Sequence, residues 1–124
     1  MLENSKTRNK EKGNIGENLV NEYLEKQGCH IVSRNFKSRF GEIDIIFFDN
    51  DELVFSEIKA RTSLEYGFPA ESITSKKQQH IINTARYFLY LHRLTNYNIR
   101  FDVIEVYLYE NKTPIIHQIK NVFW

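Results

Sequence analysis

The 124-residue sequence predicts a single α/β domain in which helices flank a mixed β-sheet, in the order αβββαββ. Two long segments repeat apolar residues at helical spacing, and several short segments are rich in β-branched residues or alternate between apolar and polar ones. The length suits one layered core and not two. Helices and strands in this order pack most simply as one sheet covered by helices.

The first helix is predicted from Ile15 to Gly28, with Asn14 as its N-cap and Gly28 at its C-terminal stop. Residues 1–12 are rich in basic side chains and almost devoid of apolar ones, which predicts a flexible basic arm ahead of a domain at 13–124. Such an arm either solubilises the protein or contacts phosphates.

The remaining elements are predicted from apolar periodicity and turn residues. A long loop with Gly67 and Pro69 connects the third strand to the second helix, and such loops in small domains are often functional. Ser75 and Gln78 have capping-box spacing at the start of that helix. The predicted strands are 29–36, 42–48, 53–60, 98–109 and 114–123, the second helix is 75–93, and the loop is 61–73.

The second and third strands form a hairpin that carries charges inside its strands. If Asn50 and Asp51 form the turn, facing residues have numbers that sum to 101, and Asp44 faces Glu57. Lys59 lies two residues after Glu57, on the same face. Opposed carboxylates repel each other unless something neutralises them. Three candidates stay open: a shared proton, Lys59 alone, or a bound divalent cation.

The same register predicts that Ile43, Ile45 and Phe47 share the opposite, apolar face. On the charged face, a carboxylate pair beside a lysine suits phosphodiester hydrolysis. Hard oxygen ligands bind Mg²⁺, the metal offsets charge on the phosphate, and the lysine can orient or activate water. The alternative is a cluster of ion pairs at a solvated strand end, which contributes only to stability.

The residues Glu17, Asp44 and Glu57-x-Lys59 resemble the signature of the PD-(D/E)xK nuclease superfamily, which has the restriction endonuclease-like fold. The segments GEIDII, SEIKAR, GFPAESI and RFDVIEV are similar to those of the YraN-like family of small bacterial proteins. That family resembles the archaeal Holliday junction resolvases. The resemblance therefore implies a metal-dependent endonuclease that acts on DNA, including branched or structured DNA.

The resemblance also implies a role for each site residue. Asp44, Glu57 and the backbone carbonyl of Ile58 would ligate Mg²⁺ or Mn²⁺. Glu17 would reach the metal from the first helix, directly or through water. Lys59 would serve the attacking water. The sequence departs from the common pattern next to these positions, with Ser where Val is expected before the glutamate and Ile in place of a frequent Val after it.

Further basic and acidic residues have weaker signals. Lys76 and Lys77 lie in the first turn of the second helix, against the preference of the helix dipole, a small cost that a nearby anion would remove. Two solvated lysines are the simpler interpretation. Asp102 is expected to have a structural role, either on the polar side of its strand or paired with Arg100 or another cation. The candidates for contacts with phosphates are Arg61, Lys76 and Gln79.

Composition narrows the remaining possibilities. The single cysteine, Cys29, excludes an internal disulfide and suggests a reducing compartment, and no segment has the apolar length of a membrane span or the form of a signal peptide. A cytoplasmic location without membrane contact is expected. A symmetric homodimer would suit the cutting of two strands. The second functional hypothesis is an inactive nucleic-acid-binding or assembly module with a vestigial nuclease site.

Overall fold

The computed structural model describes residues 5–61, 73–109 and 112–123, with side chains described from residue 14 onward. Its element order is the predicted αβββαββ, and its five strands lie side by side in chain order. This arrangement fits the restriction endonuclease-like fold. The elements are α1 (Ser5–Lys26), β1 (His30–Ser38), β2 (Gly41–Asp49), β3 (Glu52–Arg61), α2 (Ser75–Leu91), β4 (Asn98–Tyr107) and β5 (Ile115–Ile119).

The two helices cover opposite faces of the sheet. Val20 and Leu24 of α1 pack with Phe47 and Val54 on one face, while Phe88 of α2 belongs to the apolar cluster on the other face. β3 and β4 are parallel and the other neighbouring strands are antiparallel. A parallel pair requires a crossover connection, and α2 is that connection.

Helix α1 begins earlier than predicted, at Ser5, so Asn14 lies inside the helix and is not its N-cap. The backbone of residues 5–12 is helical, and the mobility predicted for residues 1–12 stays a prediction. Helix-forming Glu and Lys residues run through this segment, so helical propensity continues past the point where the apolar pattern stops.

Gly28 ends α1 as predicted. Its φ of +86° lies in the left-handed region, its N–H donates to the carbonyl of Glu25 at 3.0 Å, and the N–H of Cys29 donates to the carbonyl of Leu24 at 3.0 Å. These two bonds form a Schellman motif, which satisfies carbonyl groups that a helix end otherwise leaves without partners.

β1 is longer than predicted, and its connection to β2, which the polar residues at 37–41 predicted to be a turn, is shorter. The strand starts at His30, continues to Ser38 and pairs with β2 through an irregularity between Ile31 and Ser33. The turn is confined to Arg39 and Phe40. Polar residues at 37 and 38 suggested a loop because their β-propensity is low, but the ladder with β2 holds them in the strand.

Helix α2 is capped by Thr74 and not by Ser75. The hydroxyl of Thr74 accepts a hydrogen bond from the N–H of Lys77 at 3.1 Å, and the side chain of Gln78 donates to the carbonyl of Ile73 at 3.2 Å. The cap therefore lies one residue earlier than predicted. Residues 62–72, the greater part of the predicted loop, lie outside the described residues.

The last two strands are shorter than predicted. β4 ends at Tyr107 and β5 covers only Ile115–Ile119, at the edge of the sheet as expected. Of the helices described, neither is long and apolar enough to cross a bilayer.

Replacing Gly28 by Ala is expected to lower the free energy of unfolding by about 1–2 kcal/mol, because an L-residue with a side chain is strained in the left-handed region. Urea denaturation followed by circular dichroism measures the change. Gly28→Asn is the matched control and should cost less, since asparagine tolerates this conformation. Equal losses in both variants would contradict the role given to the backbone at this position.

Candidate functional site

The β2–β3 ladder has the predicted register, but it ends before it reaches Asp44 and Glu57. Every recorded pair has numbers that sum to 101, and the last pair is Ile45 with Ser56. Asp44 and Glu57 lie one step further, so the predicted direct pair is not formed in the ladder. The carboxylate of Asp44 instead accepts the N–H of Ile58 at 2.7 Å. The side chain of Asp44 thus replaces the main chain of β2 at the point where the ladder stops.

The alternation of β2 is interrupted at Asp44. Ile45 and Phe47 pack on the α1 face, but Ile43 packs on the α2 face, although residues two apart in a regular strand share a face. The prediction that all three lie together is therefore wrong. The neighbouring strand changes face at the same level, where Asn35 has a φ of +54°. Such irregularities re-aim side chains and are common near active sites.

Glu17 is buried, with 8% exposure, and faces the sheet from α1. Gly16 allows this approach, because a Cβ atom there would lie 3.1 Å from the Cβ of Ala60. One oxygen of Glu17 accepts hydrogen bonds from Arg34 Nε at 2.9 Å and from Asn35 Nδ2 at 2.8 Å. The residue that bends β1 therefore also holds Glu17.

Asp44 carries the most strongly perturbed carboxyl group of the site. Burial, followed by the negative charge of Glu57, raises the pKa of Asp44 from 3.8 to about 7. The hydrogen bond from Ile58 opposes this rise, and the charges of Glu42 and Glu17 add to it. The predicted repulsion between the carboxylates is thus present even without the ladder pair.

Two lysines partly neutralise Glu57. Lys77 Nζ lies 2.7 Å from Glu57 Oε1, and Lys59 Nζ lies 3.6 Å from the same atom. Burial lowers the pKa of Lys59, and the neighbouring ammonium of Lys77 lowers it further, against the charge of Glu57. Burial also acts to lower the pKa of Lys77, but its contact with Glu57 outweighs this and raises it.

Lys77 is the site residue that sequence reasoning missed. Its signal was a basic residue in the first turn of α2, where the helix dipole disfavours a positive charge. The anion that compensates this cost is Glu57, on another element. Only the crossover of α2 brings the two residues together, so sequence spacing could not assign the contact.

The three residues predicted to contact phosphates are not equivalent. Arg61 donates from Nε to the buried carboxylate of Glu105 at 3.1 Å, so its guanidinium is already engaged. Gln79 donates to Asn83 at 3.2 Å on the exposed side of α2. Lys76 is exposed and, among the described residues, forms no ion pair. None of these contacts joins them to the carboxylates of the site.

Asp102 has the structural role expected of it. The residue is 1% exposed, and its two oxygens accept from Arg100 Nε and Nη2, each at 2.9 Å. Arg100 also contacts Asp49 and Glu52 near the hairpin turn. This second cluster of charges ties β4 to the β2–β3 turn, away from Glu57.

The residues that the structure describes include no group of three or more His, Cys, Asp or Glu side chains arranged to hold a metal ion. Two carboxylates, Asp44 and Glu57, are adjacent, but Glu17 is engaged by Arg34 and Asn35. A metal at this position would therefore need oxygen atoms from the main chain or from water in addition to the carboxylate pair.

Comparison with known proteins adds the family. The model of the family described as "Uncharacterised protein family UPF0102" matches residues 16–106. A UPF0102 protein of Clostridioides difficile is 44% identical over 115 residues, which cover 93% of this chain and 98% of the relative. A UPF0102 protein of Clostridium perfringens is 48% identical over 98 residues, 79% of this chain and 80% of the relative. These matches confirm the predicted YraN-like family.

Replacing Asp44 by Asn is expected to stabilise the protein at pH 8 in EDTA. The folded-state pKa of about 7 lies above the ordinary 3.8, so the stability associated with protonated Asp44 is complete below about pH 4 and is lost as the pH rises through 7. Asparagine has no such loss. Urea denaturation at pH 5 and pH 8 measures the difference, expected to exceed about 1 kcal/mol because one pKa unit corresponds to about 1.4 kcal/mol.

Asp51→Asn is the control for this experiment, because Asp51 is an exposed acid of the hairpin turn. Its unfolding free energy should follow that of the wild type across the same pH range. Parallel curves for Asp44→Asn and the wild type would contradict the shifted pKa.

Proposed function

This chain belongs to the UPF0102 family, and we propose that it is a metal-dependent nuclease that hydrolyses phosphodiester bonds in DNA. The observation that carries the proposal is the half-buried pair of Asp44 and Glu57, with Lys59 beside it, at the opening between β2 and β3 where their ladder stops. A preference for branched or structured DNA is part of the proposal and rests on the resemblance to archaeal Holliday junction resolvases.

The donor atoms at the opening are suited to Mg²⁺ or Mn²⁺. Asp44 and Glu57 supply hard carboxylate oxygens. Ile58 directs its N–H toward β2, and in a regular strand the carbonyl of the same residue points to the same side, which offers a third oxygen. When bound, the metal would offset charge on the phosphate and lower the pKa of a bound water.

Lys59 is the residue that serves the attacking water in this proposal. Burial lowers its pKa, which makes the loss of its proton easier than for an exposed lysine. Glu17 acts at a distance, since Arg34 and Asn35 engage one of its oxygens, and it would reach the metal only through water. Its negative charge raises the affinity of the opening for a cation.

Lys77 forms an ion pair with Glu57, the carboxylate that would also bind the metal. Its Nζ lies 2.7 Å from Glu57 Oε1, a distance typical of a charge-assisted hydrogen bond. Metal binding would displace this ammonium from Glu57. The released lysine would then lie beside a bound phosphate, where a positive charge stabilises the transition state.

Cleavage assays test the proposal directly. With Mg²⁺ or Mn²⁺, the wild type is expected to cut at least one of single-stranded, duplex, flap and four-way-junction DNA, and Asp44→Asn and Lys59→Ala should each reduce the rate at least about 100-fold. Asp51→Asn and Lys76→Ala are matched controls that change an exposed acid and an exposed lysine. Cleavage that survives both site substitutions would assign the activity to a contaminant.

If no DNA is cut but calorimetry detects metal binding that depends on Asp44, the site is vestigial and the protein is a binding or assembly module. If neither is detected, the charges are a cluster of ion pairs that contributes only to stability. In that case, apolar residues of similar size at Asp44, Glu57 and Lys59 should leave the stability unchanged or raise it.

Lys77→Met is expected to tighten Mn²⁺ binding several-fold, because it removes the ammonium that competes with the metal for Glu57. Isothermal titration calorimetry on the metal-free protein measures the affinity. Lys76→Met is the matched control, since it removes the same charge from the adjacent residue without an ion pair to break. Equal affinities in the two variants would show that contact with Glu57 does not hinder the metal.

A further inference from the structure

A surface beside the site interleaves basic and aromatic side chains. It is formed by the β1–β2 turn and the outer side of α2, and we call it the basic-aromatic face. Tyr90 is 79% exposed and Tyr87 39% exposed, while Phe40 is half-buried. Its members are Lys37, Arg39, Phe40, Arg86, Tyr87 and Tyr90.

Two adjoining open cavities lie on this face. One, of about 420 Å³, is lined by the strand end and turn together with Tyr87. The other, of about 410 Å³, is lined by the turn and by α2. Among the residues that the structure describes, no carboxylate lines either cavity. Each offers aromatic rings next to cationic groups, and the guanidinium of Arg39 lies 4.9 Å from the centre of the Phe40 ring.

Within the part of the chain that the structure describes, no carboxylate forms an ion pair with the positive charges of the face. Lys37, Arg39 and Arg86 are exposed and form no ion pair there. Neither β1 nor α2 contains an acidic residue. The acid nearest to the β1–β2 turn in the sequence is Glu42, which pairs with Lys37 in the ladder. Along β2, it lies between the turn and Asp44.

The face is held in place before any ligand arrives. The hydroxyls of Ser38 and Thr84 lie 3.1 Å apart, and Ser38 Oγ also accepts the N–H of Phe40 at 3.0 Å. Gly41 packs directly against α2, because a Cβ atom there would lie 3.5 Å from His80 Cβ and from the hydroxyl of Thr84. These contacts hold the turn against the helix, so the two parts of the face lie side by side.

We propose that the basic-aromatic face binds an unpaired DNA strand. Aromatic rings stack on bases only when the bases are unstacked from a duplex, and cations between the rings contact the phosphates. A protein partner fits less well, since the centre of a protein interface is depleted of charged residues, particularly Lys. The face thus combines the two features that single-strand binding requires.

The position of the face defines the substrate class, an inference that rests on the proposed nuclease function. Gly41 lies three residues before Asp44 in β2, roughly 10 Å at about 3.3 Å per residue. Lys77 lies ten residues before Tyr87 in α2, roughly 15 Å at 1.5 Å per residue. A strand of duplex DNA advances about 3.4 Å per nucleotide and an unpaired strand advances further, so these lengths span at most about four nucleotides. The substrate is therefore DNA with an unpaired stretch beside the bond that is cut.

Binding is tested apart from cleavage by fluorescence anisotropy in EDTA, with a labelled 20-mer of thymidine and a duplex of equal length. The wild type should bind the single strand more tightly than the duplex. The double variant Arg86→Gln/Tyr90→Ala, which changes only exposed residues of α2, should weaken single-strand binding about tenfold, because it removes one ring that stacks on a base and one cation that contacts a phosphate. An RNA 20-mer in parallel reports whether the sugar matters.

A matched control is Lys26→Gln/Tyr97→Ala, which removes one charge and one exposed ring elsewhere on the surface. It should bind as the wild type does. Equal affinity of the wild type for single strand and duplex, or unchanged binding by the double variant, would overturn the proposal. So would a dimer, detected by sedimentation, that the double variant abolishes while leaving DNA binding intact, since the face would then join two copies.

The two proposals can fail separately. If the wild type cuts no DNA, and the double variant binds the single strand more weakly than the wild type does, then the proposal for the face is supported and the nuclease proposal fails. If the wild type and the double variant cut continuous duplex equally well, and neither prefers single strands, then the nuclease proposal is supported and the proposal for the face fails.

Discussion

The parallel pairing of β3 with β4 is the constraint on which the site depends. Parallel neighbours cannot be joined by a tight turn, so the chain must leave the end of β3, cross one face of the sheet as α2 and return to the start of β4. The first turn of α2 therefore lies over the end of β3 that carries Glu57 and Lys59. The contact between Lys77 and Glu57 follows from this connection.

The electrostatics of the site combine acids that burial makes costly with cations that only partly compensate them. Asp44 has one strong donor, the N–H of Ile58, and its pKa stays high. Glu57 has two lysines within 4.0 Å. The acids thus differ, one being neutralised by protons near pH 7 and the other by ammonium groups.

The sequence predicted most of the hairpin and missed how it ends. Turn chemistry at Asn50 and Asp51 determines the register, so the facing residues near the turn could be counted. Counting residues from the turn could not predict that β2 changes face at Asp44. This change accompanies the left-handed conformation of Asn35 on the adjacent strand, which residue spacing in β2 does not reveal. Alternation rules assume a regular pleat, and the site lies where the pleat is irregular.

The contacts made between distant elements were the least predictable. Glu17 was found only through a family resemblance, whereas Lys59 was found from strand alternation with Glu57. Lys77 and Lys76 have the same residue type in the same helical turn, and only tertiary structure distinguishes the lysine that contacts Glu57. The N-cap of α2 was misplaced by one residue because Thr74 and Ser75 are both good caps.

The contact between Lys77 and Glu57 also bears on how the protein matures. Many metal sites leave their acidic ligands mutually repelling until the ion arrives, so that folding and metal supply are coupled. Here an internal ammonium already accompanies one acid, and the other can hold a proton. The folded chain can therefore accommodate both acids without a divalent ion, so folding here does not depend on such a cation.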